Sequence, residues 1–392
     1  MNVNAAIRPS RPKAWLSPAD CDLDDFIAHT SRKTTRGDCP LAADIQHGIP
    51  IYDGGAIRAA NAEGRKAFMA EWAEVMLGGA GIVVFKDAMP DHAALDAATK
   101  IFFEIIAEQH RSHSGGGDHF AKPGANDRIW NALEKLCLRA PDVFARYYAN
   151  EAIAMVSQAW LGTGYQVTSQ LNVVNPGGEP QSPHRDYHMG FQTAEEIASF
   201  PAHAHGVSPM LTLQGAVAHC DMPLESGPTL YLPFSQTYLP GYFAYALPEF
   251  KEHFAKHHVQ LPLAKGDAAF FNPAVFHGAG HNRTRDVKRM ANLLQVSSAY
   301  GRAMESMDRA RMSKALYPAL RGAKGLDARQ VDNAVAACAE GYAFPTNLDR
   351  DPPIGGLAPQ TPAALMRQAL RDGWDEARFA AALDERDWAR LT

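Results

Sequence analysis

The sequence predicts an α+β protein in which helices precede and follow a β core. Three observations support this class: an amphipathic helical pattern near the start, short β-type runs between Tyr165 and Tyr300, and renewed helical periodicity after Tyr300. Short strands separated by turn residues are typical of a β-sandwich or barrel rather than of alternating β-α units. Hydrophobic residues make up 46% and charged residues 21% of the 392-residue chain, which is a globular composition.

The N-terminal part is predicted to be an irregular arm followed by two helices. Residues 1–60 show no clear periodicity. Apolar residues at helical spacing predict a helix over 61–77, and the glycines that follow would end it. The run 81–88 has the β-branched composition of a short buried strand. Asp91 is suited to cap a second helix that continues to about Arg111.

Six strand-like runs define the predicted β core over about 165–300. They are YQVTSQLNVV, PMLTLQGAVAHC, GPTLYLP, HHVQLPLA, DAAFFN and RMANLLQVSSAY. Together with the preceding helices they are expected to form one folded unit over 61–300. Residues 301–392 return to a helical pattern and are predicted to be an extension that packs on the core or forms the subunit interface of a homo-oligomer.

Charge and cysteine usage exclude several classes of protein. The net charge of −5 argues against a nucleic-acid or anionic-membrane binder. No uncharged apolar run approaches the roughly 18–20 residues of a membrane span, and the first twenty residues lack the apolar stretch of a signal peptide. The five cysteines are scattered without a CxxC pair, which favours free thiols and a cytoplasmic location.

Candidate metal ligands lie in the segment SPHRDYH over 182–188. His184 and Asp186 are two residues apart, so on an extended strand both project from one face and can bind one metal ion. A third ligand must come from elsewhere, and His277 follows an apolar strand-like run downstream. Two histidines and one carboxylate leave three positions of an octahedral ion open, as in non-haem Fe(II) oxygenases.

The histidine content leaves alternatives for the third ligand. Ten of the 16 histidines lie between His184 and His281, and His281 competes with His277. We prefer His277 because it directly follows the predicted strand. His188 lies four residues after His184, but a zincin pattern requires Glu where Arg185 stands. His188 is therefore considered for the wall of the substrate pocket, where solvent exposure is an equal alternative.

A basic residue completes the constellation. Arg289 follows His277 by twelve residues and begins a strand whose alternation places it on the same face as Gln295. A guanidinium at that position can hold a carboxylate in a bidentate pair. Arg283 and Arg285 are rivals, but they lie in a polar turn where we expect them to face solvent.

These motifs resemble those of the phytanoyl-CoA dioxygenase family of Fe(II)/2-oxoglutarate-dependent oxygenases. The resemblance rests on HRD at 184–186, HGAGHN at 277–282 and the strand-initial Arg289, and it covers roughly residues 71–300. GIVVF is similar to the family's N-terminal strand. DMPLESGPTLYLPFSQ over 221–236 is similar to its acidic residue, Glu-x-Gly and Pro-x-Ser stretch, although Phe-Ser-Gln stands where Gly-Ser-His is usual.

The resemblance implies a double-stranded β-helix, or jelly roll, with a metal at one open end. It implies that His184, Asp186 and His277 hold Fe(II). It also implies that Arg289 pairs with the C5 carboxylate of 2-oxoglutarate and that O₂ is a further co-substrate, with ascorbate as a reductant in vitro. The expected reaction hydroxylates, or otherwise oxidises, a small organic metabolite and yields succinate and CO₂. Halogenation is not expected, because related halogenases have a small residue in place of Asp186.

Further candidates surround this constellation. Gln170 and Asn172, on the strand before HRD, can face 2-oxoglutarate or solvent, and the same holds for Thr212 and Gln214. The glycine-rich segment before the core offers Lys122 and Arg128 as substrate-side candidates. In the alternative interpretation its polar residues only cap the next helix, with Asn126 or Asp127 at the N-cap.

Two other functions compete with the oxygenase. The first is a non-catalytic jelly-roll module that senses a metal or a carboxylate. The intact ligand set and Arg289 disfavour it, because a pseudoenzyme can lose any of these four residues and still fold. The second is a cupin-like zinc isomerase or hydrolase, which is disfavoured because zinc catalysis does not require an arginine that binds a carboxylate.

Overall fold

The computed structural model describes residues 13–112 and 124–392, which form two β-sheets and fifteen α-helices. The strands are β1 (Asp44–Gln46), β2 (Ile49–Asp53), β3 (Ile82–Lys86), β4 (Asn126–Ile129), β5 (Gln166–Val174), β6 (Thr212–Ala218), β7 (Leu230–Leu232), β8 (Val259–Gln260), β9 (Ala268–Phe271), β10 (Phe276–Gly278) and β11 (Arg289–Ser297).

The helices lie before, between and after these strands. They are α1 (Leu23–Thr30), α2 (Gly54–Ala59), α3 (Ala62–Leu77), α4 (His92–Ser112), α5 (Ala132–Arg139), α6 (Pro141–Tyr148), α7 (Glu151–Leu161), α8 (Ala194–Ala198), α9 (Ala202–Val207), α10 (Gly241–Ala244), α11 (Pro248–His257), α12 (Arg309–Gly322), α13 (Ala328–Cys338), α14 (Pro362–Arg371) and α15 (Glu376–Ala389). Within the described residues, no helix combines the length and apolar character needed to cross a bilayer.

Most of the predicted elements are confirmed. The helix expected over 61–77 is α3, which begins after Asn61, and the side chain of Asn61 accepts a hydrogen bond from Gly64 N. The run 81–88 contains β3. Asp91 accepts a hydrogen bond from Ala94 N at 3.0 Å at the start of α4. Each of the six runs in the β core contains a strand.

The strands of the β core are divided between two sheets that face each other. The eight-stranded sheet has the order β1-β2-β3-β9-β6-β11-β5-β4, and its pairs are antiparallel except β2 with β3. The three-stranded sheet has the order β10-β7-β8, and a bridge between His184 and His277 adds the HRD segment beside β10. Tyr231 on β7 packs on Phe271 of β9 with ring centroids 5.1 Å apart, which joins the sheets face to face.

Across β5, β6 and β11 the larger sheet has one apolar and one polar face, and the polar face lines the space between the sheets. On β2, β3 and β9 the inner face is apolar and packs against Tyr231 of the smaller sheet. On β11, Leu294 and Val296 pack into the main hydrophobic core with the helices. Gln295 alternates with them and lies opposite Thr168 on β5 and Gln214 on β6. Strand alternation thus directs a row of polar side chains toward the HRD segment.

The C-terminal extension packs on the core, which is one of the two predicted arrangements. Leu316 of α12 and Val335 of α13 belong to the same buried cluster as Leu133 of α5 and Val296 of β11. Tyr317 and Phe379 stack with centroids 4.1 Å apart and join α12 to α15. The predicted domain boundaries, the subunit interface and the homo-oligomer stay predictions.

Two predictions for the N-terminal half were wrong. Within the predicted irregular arm, α1, β1, β2 and α2 are regular elements, and β2 adds to the larger sheet in parallel with β3. Four consecutive residues of β2 are buried, so the strand shows no polar alternation that the sequence could reveal. Asn126 and Asp127 are not helix caps, because they begin β4, which pairs with β5.

Candidate metal centre

The HRD segment is held in an extended conformation beside β10. His184 N donates to His277 O at 3.0 Å, His277 N donates back at 3.3 Å, and Asp186 N donates to Pro273 O at 3.1 Å. The chain then turns sharply, because Tyr187 and His188 both have positive φ, at 60° and 48°. Non-glycine residues rarely adopt this conformation, so the surrounding packing must hold it. The two HRD ligands consequently point toward β10.

His184, Asp186 and His277 come together as predicted. One ligand atom from each lies within 4.8 Å of the others. His277 Nε2 is 3.3 Å from Asp186 Oδ2, and His184 Nε2 is 3.6 Å from Asp186 Oδ1. In the described part of the chain, no other group of three His, Cys, Asp or Glu residues is arranged to hold a metal, and His281 is not part of this one.

The hydrogen bonds of both imidazoles suit a metal site. Nδ1 of His184 lies 3.0 Å from Ser182 O, and Nδ1 of His277 lies 2.9 Å from Val275 O. Because a carbonyl oxygen only accepts, each Nδ1 carries a proton, and each Nε2 is left on the side of Asp186 to bind a metal. Two imidazoles and one carboxylate are the donor set of a facial Fe(II) site, so the residues fit this metal.

Gln214 supports the acidic ligand. Its Nε2 donates to Asp186 Oδ2 at 2.5 Å and lies 3.3 Å from His277 Nε2. Burial opposes ionisation of Asp186, but the adjacent His184 and His277 outweigh this effect, and the pKa of the carboxyl is held well below its usual range. Gln214 therefore contacts two of the candidate ligands, Asp186 and His277. Its strand position alone leaves open whether it faces 2-oxoglutarate or solvent.

Arg185, between the two HRD ligands, points away from them and is buried. Its guanidinium donates to Ser235 O at 2.6 Å and Tyr238 O at 2.9 Å, and it lies 5.0 Å from the ring centroid of Tyr242. Burial lowers the pKa of Arg185 to about 10. A Cβ atom at Gly241 would lie 1.9 Å from Arg185 Cζ, so only glycine leaves room for the guanidinium.

Arg289 is a buried cation at the start of β11. Its Nη1 donates to Ser226 O at 3.3 Å and Gly280 O at 3.4 Å. Burial lowers the pKa of Arg289 to about 10, and no carboxylate of the described residues is among the ionisable groups that influence it. A buried guanidinium without a counter-ion is unfavourable, so this site suits the carboxylate of a ligand. Arg283 and Arg285 are exposed, as expected.

The other predicted co-substrate residues lie on the polar face of the larger sheet. Gln170 and Gln295 exchange side-chain hydrogen bonds at 2.9 and 3.2 Å. Asn172 Oδ1 is buried and has no hydrogen-bond partner among the described residues. Thr212 Oγ1 lies 3.1 Å from His188 Nε2, so the strand residue and the pocket-wall candidate contact each other. Burial lowers the pKa of His188.

Of the two remaining substrate-side candidates, Arg128 lies within the described residues and Lys122 does not. Arg128 lies opposite Asn172 in the β4–β5 register and therefore shares the polar face. Its Cζ also lies 5.0 Å from the ring centroid of Trp130. Lys122 lies outside the described residues.

More than half of the chain matches one protein-family model. The family model described as phytanoyl-CoA dioxygenase (PhyH) matches residues 60–291, more than half of the chain. The chain belongs to the phytanoyl-CoA dioxygenase family. That family depends on iron and 2-oxoglutarate, and the His-Asp-His group of this chain is arranged so that it can hold a metal ion. Family membership supports an oxygenase-type enzyme.

Several solved structures are similar to this member of the phytanoyl-CoA dioxygenase family. The non-heme alpha ketoglutarate dependent epimerase SnoN from nogalamycin biosynthesis is 19% identical, with 60% of this chain and 84% of that chain covered and a TM-score of 0.40. The carbocyclase SnoK from nogalamycin biosynthesis is 17% identical, with 62% and 86% covered and a TM-score of 0.39. A structure of SnoN contains Fe3+, alpha ketoglutarate and nogalamycin RO. No curated protein matches the chain.

Sequence reasoning missed three residues around the centre: Arg185, Tyr187 and Glu305. Strand alternation indicated that Arg185 would point away from the ligands, but not what surrounds it. Tyr187 is buried, and its hydroxyl has no hydrogen-bond partner among the described residues. Glu305 lies in the C-terminal extension, beyond the residues of the family match, and no motif marks it.

Proposed function

We propose that this protein is a dioxygenase that hydroxylates, or otherwise oxidises, a small organic metabolite while 2-oxoglutarate is converted to succinate and CO₂. One observation carries the proposal: a facial His-Asp-His group and a buried arginine face the same space. Tyr231, opposite His277 in the β7–β10 register, interacts electrostatically with Arg289. The guanidinium therefore lies on the side of the sheets where the metal ligands meet.

The chain's residues have separate roles in this proposal. His184, Asp186 and His277 would hold Fe(II), which supplies open coordination positions and the oxidising chemistry when bound. The backbone carbonyls at their Nδ1 atoms keep both imidazoles in the ligating tautomer. Arg289 would bind the C5 carboxylate of 2-oxoglutarate, and the buried position strengthens that ion pair.

We further propose that the two sheets form a double-stranded β-helix. Along the chain, β5, β6, β9 and β11 belong to the larger sheet, whereas the HRD segment, β7, β8 and β10 belong to the smaller one. Eight strands distributed in this way between two facing sheets are consistent with a jelly roll. The metal ligands then come from two adjacent strands of the smaller sheet.

The alternative function is a non-catalytic module that senses a metal or a carboxylate. The same residues would serve it, but sensing does not require open positions beside a carboxylate-binding arginine. Turnover separates the two functions. The predicted cytoplasmic location stays a prediction.

The deciding experiment measures succinate from 2-oxoglutarate. The purified protein is incubated in air with Fe(II), 2-oxoglutarate, ascorbate and fractions of a metabolite extract, and products one oxygen atom heavier are sought by mass spectrometry. We expect at least one fraction to stimulate succinate release, and chelation of the iron should abolish it. If no fraction stimulates turnover while iron and 2-oxoglutarate both bind, the sensor is the better explanation.

A further inference from the structure

A row of polar side chains connects the metal centre to the C-terminal extension. Gln214, which donates to Asp186, lies opposite Gln295 in the β6–β11 register. Gln295 exchanges hydrogen bonds with Gln170 on the next strand. β5, which carries Gln170, pairs with β4, and Asn131 just beyond β4 donates its backbone N–H to the carboxylate of Glu305. The row therefore runs across three strands and ends at an acidic side chain.

Glu305 has one satisfied and one unsatisfied oxygen. Its Oε1 accepts a hydrogen bond from Asn131 N at 2.6 Å. Its Oε2 is buried and has no hydrogen-bond partner among the residues that the structure describes. Burial raises the pKa of Glu305 to about 7 against the opposing influence of Lys135 and Arg128. A buried acceptor without a partner is costly, so the site is better satisfied when a ligand supplies a donor.

The strand register places Glu305 beside the polar face that carries Gln214. Asn131, the hydrogen-bond partner of Glu305, lies three residues after Arg128, which pairs with Asn172 of that face. Tyr187, which directly follows Asp186 in the chain, is an ionisable neighbour of both Asp186 and Glu305. Its hydroxyl is buried without a hydrogen-bond partner among the described residues, which makes it a second unsatisfied buried polar group. The space beside the ligands is thus bounded by polar atoms that the protein itself leaves unmatched.

The strand ends around this space are polar rather than apolar. Ser297, near the end of β11, pairs in register with Gln166 of β5 and Thr212 of β6, and the preceding pair on the same face joins Gln295 to Thr168. A long acyl chain in this position would cover polar groups without pairing them. A small molecule with hydrogen-bond donors matches the surface instead.

We infer that Glu305 determines substrate specificity, and that the substrate presents a hydroxyl or an amine N–H to its Oε2. This inference rests on the proposed function, because it places the substrate beside the iron site. It deepens that function by assigning the substrate class: a polar, donor-bearing small molecule.

The test measures binding without turnover. The full chain is loaded with Fe(II) and 2-oxoglutarate under anaerobic conditions, and weak binding is followed by ligand-observed NMR and calorimetry. Four probes are compared: ethanolamine, propane-1,2-diol, 1,2-dimethoxyethane, which has no donor, and octanoate, which has an acyl chain. Ethanolamine and the diol distinguish an amine donor from a hydroxyl donor.

We expect a donor probe to bind in preference to dimethoxyethane and octanoate. Glu305→Gln should weaken its binding by about tenfold, because an uncharged amide oxygen accepts a weaker hydrogen bond than a carboxylate. Glu385→Gln, at an exposed position on α15, is the matched control and should change nothing. The affinity for 2-oxoglutarate should be the same in all three proteins, which shows that Glu305→Gln leaves the fold intact.

Three results would overturn the inference while the proposed function stands. They are equal binding of the donor probe to wild type and Glu305→Gln, preference for octanoate, and no binding of either donor probe, each with 2-oxoglutarate bound normally. Failure of the wild-type protein to bind 2-oxoglutarate would instead contradict the proposed function itself.

Discussion

Arg289, which begins strand β11, and Glu305, in the segment that follows the strand, differ in charge, in burial and in their relation to the family match. Arg289 begins the strand, is 7% exposed and lies within the matched residues 60–291. Glu305 lies eight residues beyond Ser297, is half-buried and falls outside the match. The proposed roles differ accordingly: Arg289, within the match, would bind the co-substrate that the family shares, and Glu305, outside it, would select the substrate.

Removing a proposed metal ligand should have the largest effect, because the roles proposed for Arg289 and Glu305 both require a bound metal beside them. For His184→Ala we expect iron affinity to fall by more than about 100-fold, since changes to residues that merely support ligands already cost 10–100-fold. Succinate formation should disappear with it. Iron titration followed by calorimetry measures the loss, and His281→Ala, at a histidine outside the ligand group, should bind iron normally.

Arg289→Ala tests the proposed binding of the 2-oxoglutarate carboxylate alone. We expect the Kd for 2-oxoglutarate to rise by about 100-fold, because a buried charge pair typically contributes a few kcal/mol. Iron binding should not change. Arg285→Ala, at an exposed position in the neighbouring turn, is the control. Unaltered 2-oxoglutarate binding in Arg289→Ala would contradict the proposal that Arg289 binds the carboxylate of 2-oxoglutarate.

Gln214→Leu probes the polar row where it meets the metal centre. Loss of its hydrogen bond to Asp186 Oδ2 should weaken iron binding by roughly tenfold, the lower part of the range for residues that orient a ligand. Competition with a chelator of known affinity gives the change. An effect as large as that of His184→Ala would show that Gln214 has a more direct part in the site than its contacts indicate.

The smallest expected effect is the contribution of Glu305 to the pH dependence of the protein's stability. The folded protein raises the pKa of Glu305 to about 7, so Glu305 contributes stability below its unfolded pKa and loses that contribution as pH rises toward 7 and beyond. Tyr187, Lys135 and Arg128 are the ionisable neighbours that interact with it. Glu305→Gln should flatten the profile by roughly 1–3 kcal/mol.

Denaturant unfolding of the metal-free protein between pH 4.5 and 8 would reveal this difference. A wild-type profile identical in shape to that of Glu305→Gln would show that the carboxyl is not desolvated in the folded chain. Glu385→Gln again serves as the control, because its position is exposed.

The grouping of His184 with Asp186 could be predicted because their spacing is local, whereas the choice of His277 depends on the strand that it follows and on the family resemblance. His184 and Asp186 are two residues apart on an extended segment, and Arg289 begins a nine-residue strand whose alternation is evident. The sequence could not show that Glu305 belongs near this site, because its hydrogen bond with Asn131 joins distant parts of the chain.

The parallel addition of β2 escaped prediction for a related reason. Its partner β3 lies about thirty residues away, and four successive buried residues show no alternation. Arg185 shows how far a local rule extends: alternation gives its direction, whereas its surroundings depend on Ser235, Tyr238 and Gly241, about fifty residues later.

The shared core of the C-terminal helices limits how this protein can be redesigned. Glu305 stands three residues before Asp308, whose side chain caps α12, and α12 packs into the same core as α5 and α6. An engineer who exchanged residues 301–392 for those of another enzyme would expose that core and lose the fold before altering the choice of substrate. New specificities are therefore better sought by single substitutions around Glu305 than by grafting the whole extension.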